Sequence, residues 1–205
     1  MTVRLVLASA SSGRLAVLRA AGVDPEVVVS GVDESDVSGA PDEVALQLSR
    51  RKALAVAALP GSEGALVLGC DSVLDLDGAL LGKPTDAADA RRRWLAMRGR
   101  TGVLVTGHCL VDVRAGQPGR SVAAVDRTPV TFADITDAEV DAYVTTGEPE
   151  RVAGAFTIDG LGGWFVAAVS GAPSNVVGLS LPVLRGLLGE LGLSVSDVVP
   201  AFANR

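Results

Sequence analysis

The chain has 205 residues, enough for one ordinary domain or two small lobes sharing a core, and its 48% apolar and 20% charged content is that of a folded protein. No run of 18 or more uncharged apolar residues is present, which excludes a membrane-spanning helix, and two cysteines are too few for a disulfide framework. A net charge of −6 argues against a surface that coats nucleic-acid polymers, yet leaves room for a small local phosphate site.

The opening Met1-Thr2-Val3-Arg4-Leu5 lacks the apolar stretch of a signal peptide, so the cytoplasm is the expected compartment. Val3 to Ala8 suits a buried strand, and the small-residue turn Ser9-Ala10-Ser11-Ser12-Gly13 leads into a helix over Arg14 to Ala21. Val27 to Ser30 reads as a second strand, delivering Asp33-Glu34-Ser35-Asp36. Asp42 is the expected cap of a helix from Glu43 to Leu59, stopped by Pro60-Gly61. Ala65 to Gly69 predicts another buried strand with Cys70-Asp71-Ser72 at its end, then a hairpin of Val73 to Leu76 and Ala79 to Leu81 around Asp77-Gly78.

A helix from Asp86 through Met97 carries Arg91-Arg92-Arg93, and strands follow over Val103 to Val113 and Ser121 to Phe132. Thr136 caps a helix over Asp137 to Thr145, Gly154 to Gly163 is glycine-rich, and Trp164 to Val169 reads as a strand. Leu179 to Leu191 is a terminal helix, with Ser194 to Val199 beginning a last short one. No repeat or low-complexity linker interrupts the chain, so residues 1–205 are taken as one domain. Strands and helices mix without strict alternation, which predicts an α/β fold with a mixed twisted sheet flanked by helices.

Several chemistries fail on the residues. The only histidine, His108, lies inside an apolar strand and reads as structural, and no Gly-x-Ser-x-Gly elbow supports a triad. Gly78-Ala79-Leu80-Leu81-Gly82-Lys83 has the wrong spacing for a phosphate loop, and Pro84 stands where Ser or Thr is needed. What remains is dispersed. Ser9, Ser11 and Arg14 sit at a strand–helix connection, either as a helix cap with a surface Arg or as an anion site. Asp71 is either a turn cap or an acid poised at the mouth of a cleft. Of 18 basic residues 16 are Arg, and the two lysines, Lys52 and Lys83, are either leftover surface residues or positions that need a compact ammonium. With Glu34 these form an inventory for metal-assisted phosphoryl chemistry, although spacing alone does not bring them together.

The segment Leu7-Ala8-Ser9-Ala10-Ser11-Ser12-Gly13-Arg14 resembles the Leu-Ala-Ser-x-Ser-Pro-Arg-Arg opening of the Maf family of nucleoside triphosphate pyrophosphatases. The likeness continues in order through Val32-Asp33-Glu34, Lys52-Ala53, Leu68-Gly69-Cys70-Asp71-Ser72, Leu81-Gly82-Lys83-Pro84, Gly99-Arg100 and Gly147-Glu148-Pro149. It closes with Ala153-Gly154-Ala155-Phe156, Ile158-Asp159-Gly160 and Asn175-Val176-Val177-Gly178-Leu179. The resemblance implies two lobes around a nucleotide cleft, as in inosine triphosphate pyrophosphatases. It also implies hydrolysis between the α and β phosphates with a divalent metal, magnesium or manganese, and a homodimer. By motif position Asp71 would activate the attacking water, and Glu34, a second catalytic carboxylate, would share the metal or that water with it. Ser9, Ser11, Arg14 and Lys52 would hold the triphosphate, and Lys83 would act on it as a catalytic cation.

Base preference stays open at this level. Family members preferring dTTP and UTP carry Arg, Thr and Gln at the positions of Gly13, Ser72 and Asp159, and those preferring 7-methyl-GTP carry Trp, Gln and Glu. Ser72 leans to the first group and the acidic Asp159 to the second, where a carboxylate would accept hydrogen bonds from a guanine edge. Phe156 is read as core in preference to a base-stacking residue. The expected role is clearance of non-canonical or excess nucleotides. The rival readings are a nucleotide-binding regulator of cell division and septum formation without essential turnover, and a phosphatase releasing orthophosphate.

Overall fold

The computed structural model describes residues 2–202 and divides into two compact units. The first comprises Met1–Asp71, Thr106–Asp126 and Gly178–Arg205; the second comprises Ser72–Val105 and Arg127–Val177. Three strands contribute residues to both: β3 (Ala65–Leu76), β5 (Thr101–Asp112) and β6 (Ser121–Phe132). Among the described residues seven strands form one mixed sheet, in the order β2-β1-β3-β5-β6-β7 with β4 added on β3.

In the first unit β1 (Arg4–Leu7) pairs parallel with both β2 (Glu26–Val27) and β3. Parallel neighbours require crossovers, supplied here by α1 (Ser12–Ala20) and α2 (Pro41–Ala57). Both faces of β1 are covered beyond Arg4, which is why Leu5-Val6-Leu7 is continuously apolar instead of alternating. Leu5 and Leu7 pack with Leu66, Leu68, Leu18 of α1 and Leu184, Leu187 and Leu188 of the terminal helix (Leu181–Glu190). Val6 and Ala8 turn the other way, onto Val67, Val111, and Ala53 and Val56 of α2.

The second unit holds the hairpin of β3 with β4 (Ala79–Leu81), then α3 (Ala87–Met97), α4 (Asp137–Thr145), β7 (Val166–Val169) antiparallel to β6, and the short α5 (Pro173–Val176). Its core is aromatic. The Trp94 ring meets Phe132, Tyr143 and Phe165 edge-on at centroid distances of 5.4–5.8 Å, and its indole N–H donates to Ala155 O at 2.7 Å. Phe156 is buried here against Phe132, as a core residue.

Four details differ from the sequence reading. First, β3 runs unbroken through Cys70-Asp71-Ser72, so Asp71 lies within a 12-residue strand and not at the end of a short one. Asp and Ser are poor strand formers in isolation, but pairing onwards with β4 keeps the backbone extended. Second, α2 begins before Asp42. Pro41 occupies its first position, where a missing N–H costs nothing, and the Glu43 carboxylate accepts from Ala40 N–H at 3.1 Å. Third, the strand expected from Trp164 begins only at Val166, after a 3₁₀ segment over Leu161–Phe165. Fourth, the terminal helix, α6, starts at Leu181, with the Ser180 hydroxyl accepting from Val183 N–H as its cap.

Candidate active site

The first unit brings together most of the residues singled out in the sequence. At the start of α1 the Ser11 hydroxyl caps the helix, accepting from Arg14 N–H at 3.3 Å. The Ser9 hydroxyl accepts from Ser11 N–H at 3.2 Å and from Arg14 Nη1 at 3.0 Å, while Arg14 Nε donates to Gly178 O at 2.9 Å. Arg14 is buried, so it is no surface residue. Gly13 lies half-buried in the first turn of α1.

Lys52 reaches from α2 to β3. Its Nζ lies 2.6 Å from Asp71 Oδ1 and 2.8 Å from Glu34 Oε1, so one ammonium holds two carboxylates. The pair is shielded: Lys52 and Asp71 side chains are each 11% exposed, against 51% for Glu34. Burial pushes the Asp71 carboxyl above its ordinary range, an effect opposed by the charge and hydrogen bond of Lys52 and by the Arg14 charge. Both cations favour the ionised carboxylate there against its burial.

His108 has the structural role expected of it. Its Nε2 accepts from Ser180 N–H at 2.8 Å, which anchors the start of α6 two residues from the carbonyl that Arg14 grips. Desolvation lowers its pKa to about 4, so the ring is neutral at pH 7. The buried thiols are pushed up to about 12 for Cys70 and about 11 for Cys109, which rules out thiolate chemistry.

In the second unit Lys83 is exposed just after β4, and its main chain is clamped. Arg93 Nη1 donates to Gly82 O at 2.7 Å, Gly154 N–H donates to the same carbonyl at 3.0 Å, and Arg93 is itself paired with Asp89 at 2.8 Å. Asp89 also accepts from Thr85 N–H at 3.0 Å. Sequence reasoning saw Arg93 only as part of a basic run; the Asp89–Arg93 spacing of four on a helix was the available clue. Ser72 follows Asp71 on β3, and Asp159 lies exposed between Thr157 and Gly160.

Residues 4–191 match the family model described as Maf-like protein. The chain belongs to the Maf-like family. A relative from Salinispora tropica, named nucleoside triphosphate pyrophosphatase, is 56% identical over 97% of this chain and 88% of its own length. Relatives of the same name from Streptomyces coelicolor and Streptomyces avermitilis are 55% and 54% identical, each over 95% of this chain and 94% of their own. A solved HAM1 protein from Coxiella burnetii overlaps 65% of this chain and 75% of its own at 16% identity and a TM-score of 0.41, a partial likeness. Among the described residues of this Maf-like chain, no helix is long and apolar enough to cross a membrane.

Proposed function

We propose that this chain hydrolyses nucleoside triphosphates to a nucleoside monophosphate and pyrophosphate, with Asp71 activating the attacking water. The observation that carries the reading is the Glu34–Lys52–Asp71 arrangement, in which one ammonium pairs with a shielded acid and with a second carboxylate. Its support from outside the site is the name shared by relatives at 54–56% identity.

Asp71 orients a water towards the α-phosphorus and takes its proton, and Lys52 keeps that carboxylate ionised beforehand. Arg14, Ser9, Ser11 and Lys52 supply cationic and hydroxyl donors for the phosphate oxygens, and Lys83 offsets the charge that builds up as the α–β bridge breaks. Ser9 and Ser11 hydroxyls already have partners within the α1 turn, so binding exchanges those bonds instead of adding unmet ones. Gly13, Ser72 and Asp159 are assigned to base selection.

The donor set suits a hard divalent cation. Asp71 and Glu34 are oxygen ligands that meet at the Lys52 ammonium through Oδ1 and Oε1, which leaves each a second carboxylate oxygen for a cation. No group of three or more His, Cys, Asp or Glu side chains forms a metal cage among the described residues. Two carboxylates with the remaining positions left to water and phosphate is the pattern magnesium and manganese favour. Bound there, the metal would lower the cost of forming hydroxide and neutralise phosphate charge. The same reading has the enzyme working in the cytoplasm as a homodimer.

The test incubates purified protein with magnesium or manganese and a nucleotide panel, and identifies the products. Pyrophosphate with a monophosphate is the expected outcome. Orthophosphate would replace the reading with a phosphatase, and nucleotide binding without turnover would replace it with a regulator.

A further inference from the structure

Glu148 is the most heavily hydrogen-bonded carboxylate of the second unit, and nothing in the proposed chemistry uses it. Its Oε1 accepts from Tyr143 OH at 2.8 Å, Thr157 Oγ1 at 2.6 Å and Gly162 N–H at 2.9 Å, and its Oε2 accepts from Leu161 N–H at 3.0 Å. These donors lie on both sides of Asp159: Thr157 precedes it, and Leu161 and Gly162 follow. The segment is therefore wrapped around one charged acceptor, with the exposed Asp159 at its turn.

The glycines support the same picture. A β-carbon at Gly160 would lie 2.6 Å from Glu148 Oε2 and 2.7 Å from Thr157 Oγ1, and one at Gly162 would run into Tyr143 OH. The segment approaches the carboxylate more closely than a side chain would permit. Tyr143 in turn is fixed by its ring, edge-on to Trp94 at 5.4 Å and to Phe165 at 5.3 Å. Burial alone would raise the Glu148 carboxyl, but the bonds from Thr157, the two amides and Tyr143 hold it below its ordinary value.

We infer that Glu148 is a positioning residue for base selection: it pins residues 157–162 so that Asp159 is presented in one orientation. The inference rests on the assignment of Asp159 to the base. It gives the loop a rigid acceptor in place of a flexible turn, and rigid presentation is what converts a single carboxylate into discrimination between bases.

Glu148→Gln tests it. The substitution keeps length and shape but turns one of two acceptor oxygens into a donor, which cannot accept from an amide or hydroxyl. The readout is the ratio of kcat/KM for the best and worst nucleotides of the panel, alongside amide exchange at Leu161 and Gly162. A smaller folded fraction scales every nucleotide alike and cancels in that ratio, so a merely structural role would not move it. Expected are a fall in the ratio of about tenfold, carried by KM more than kcat, and faster exchange at both amides. Tyr143→Phe removes one donor, keeps the ring, and should shift the ratio the same way by less. Asp159→Ala separates the two ideas. If Asp159→Ala lowers the ratio while Glu148→Gln and Tyr143→Phe leave it as in the parent, the positioning role is wrong and the assignment of Asp159 stands. A ratio unmoved by Asp159→Ala overturns that assignment, and the role of Glu148 in selection with it.

Discussion

Gly69 of β3 lies against the carbonyl of Ser49 in α2, with no volume left between them for a β-carbon. The same hypothetical atom would sit 2.6 Å from Ala53 N, and one at Gly107 of β5 would run into Ala45 O. Helix and strands therefore meet backbone to backbone, one residue from Lys52. Gly69→Ala should cost about 3 kcal/mol, because the obstructing atoms are main chain and do not rotate away. Urea denaturation checks the cost. Activity per folded molecule should drop too, since the displaced helix carries the ammonium away from Asp71. A variant with the parent's midpoint and turnover would contradict this packing.

Asp71→Asn keeps shape and removes the base. Turnover should fall about 10²- to 10⁴-fold while nucleotide binding persists, as expected for loss of one general base. Single-turnover kinetics with a separate binding titration give the two quantities. Near-normal kcat would mean that another group activates the water.

Arg93 holds the main chain at Lys83, donating to Gly82 O at 2.7 Å and to Lys83 O at 3.4 Å, and is itself held by Asp89. Arg93→Gln should leave the fold in place and lower kcat for the triphosphate about tenfold, because a loosened loop misplaces the Lys83 ammonium assigned to the charge that builds up in the reaction. A change confined to KM would show that the loop serves substrate binding and not the reacting charge.

His108 makes stability depend on pH. Unfolded, its imidazole takes up a proton near pH 6.5; folded, only near 4, because burial and the Arg14 charge oppose it while Asp126 and the backbone of Thr106 and Ala124 give way in the other direction. Between those values the unfolded chain binds more protons, so stability climbs with pH. The contribution is complete above 6.5 and lost as pH falls to 4, amounting to about 3 kcal/mol. His108→Gln retains an acceptor for Ser180 N–H without the titration. The difference between the two urea midpoints should change across pH 4 to 7, and parallel curves would rule the effect out.

Much of this was legible before any coordinates. The Thr136 cap, the doubly buried β1 and the burial of Phe156 all follow from local pattern, and in each case local preference and tertiary packing agree. The continuity of β3 was not legible, since polar Asp71 and Ser72 mimic a strand end unless Lys52, 19 residues before Asp71, is known to face that carboxylate. Family motifs pointed to Asp71, Glu34 and Lys52, and the structure adds the pairings that make their charges compatible. Glu148, although part of a motif block, and Arg93 showed no role of their own, because half of the Glu148 partners and two of the three Arg93 partners are main-chain groups, which leave no mark in side-chain sequence.

The sixteen arginines leave this protein almost without primary amines. One of its two lysines is shielded between Glu34 and Asp71, and the other, Lys83, faces solvent. Acylating reagents, whether applied at the bench or produced by metabolism, therefore meet one open lysine side chain. It is the cation assigned to the triphosphate, so a single acetyl group there would cancel the charge given that role and leave the arginines, which such reagents spare, as they were.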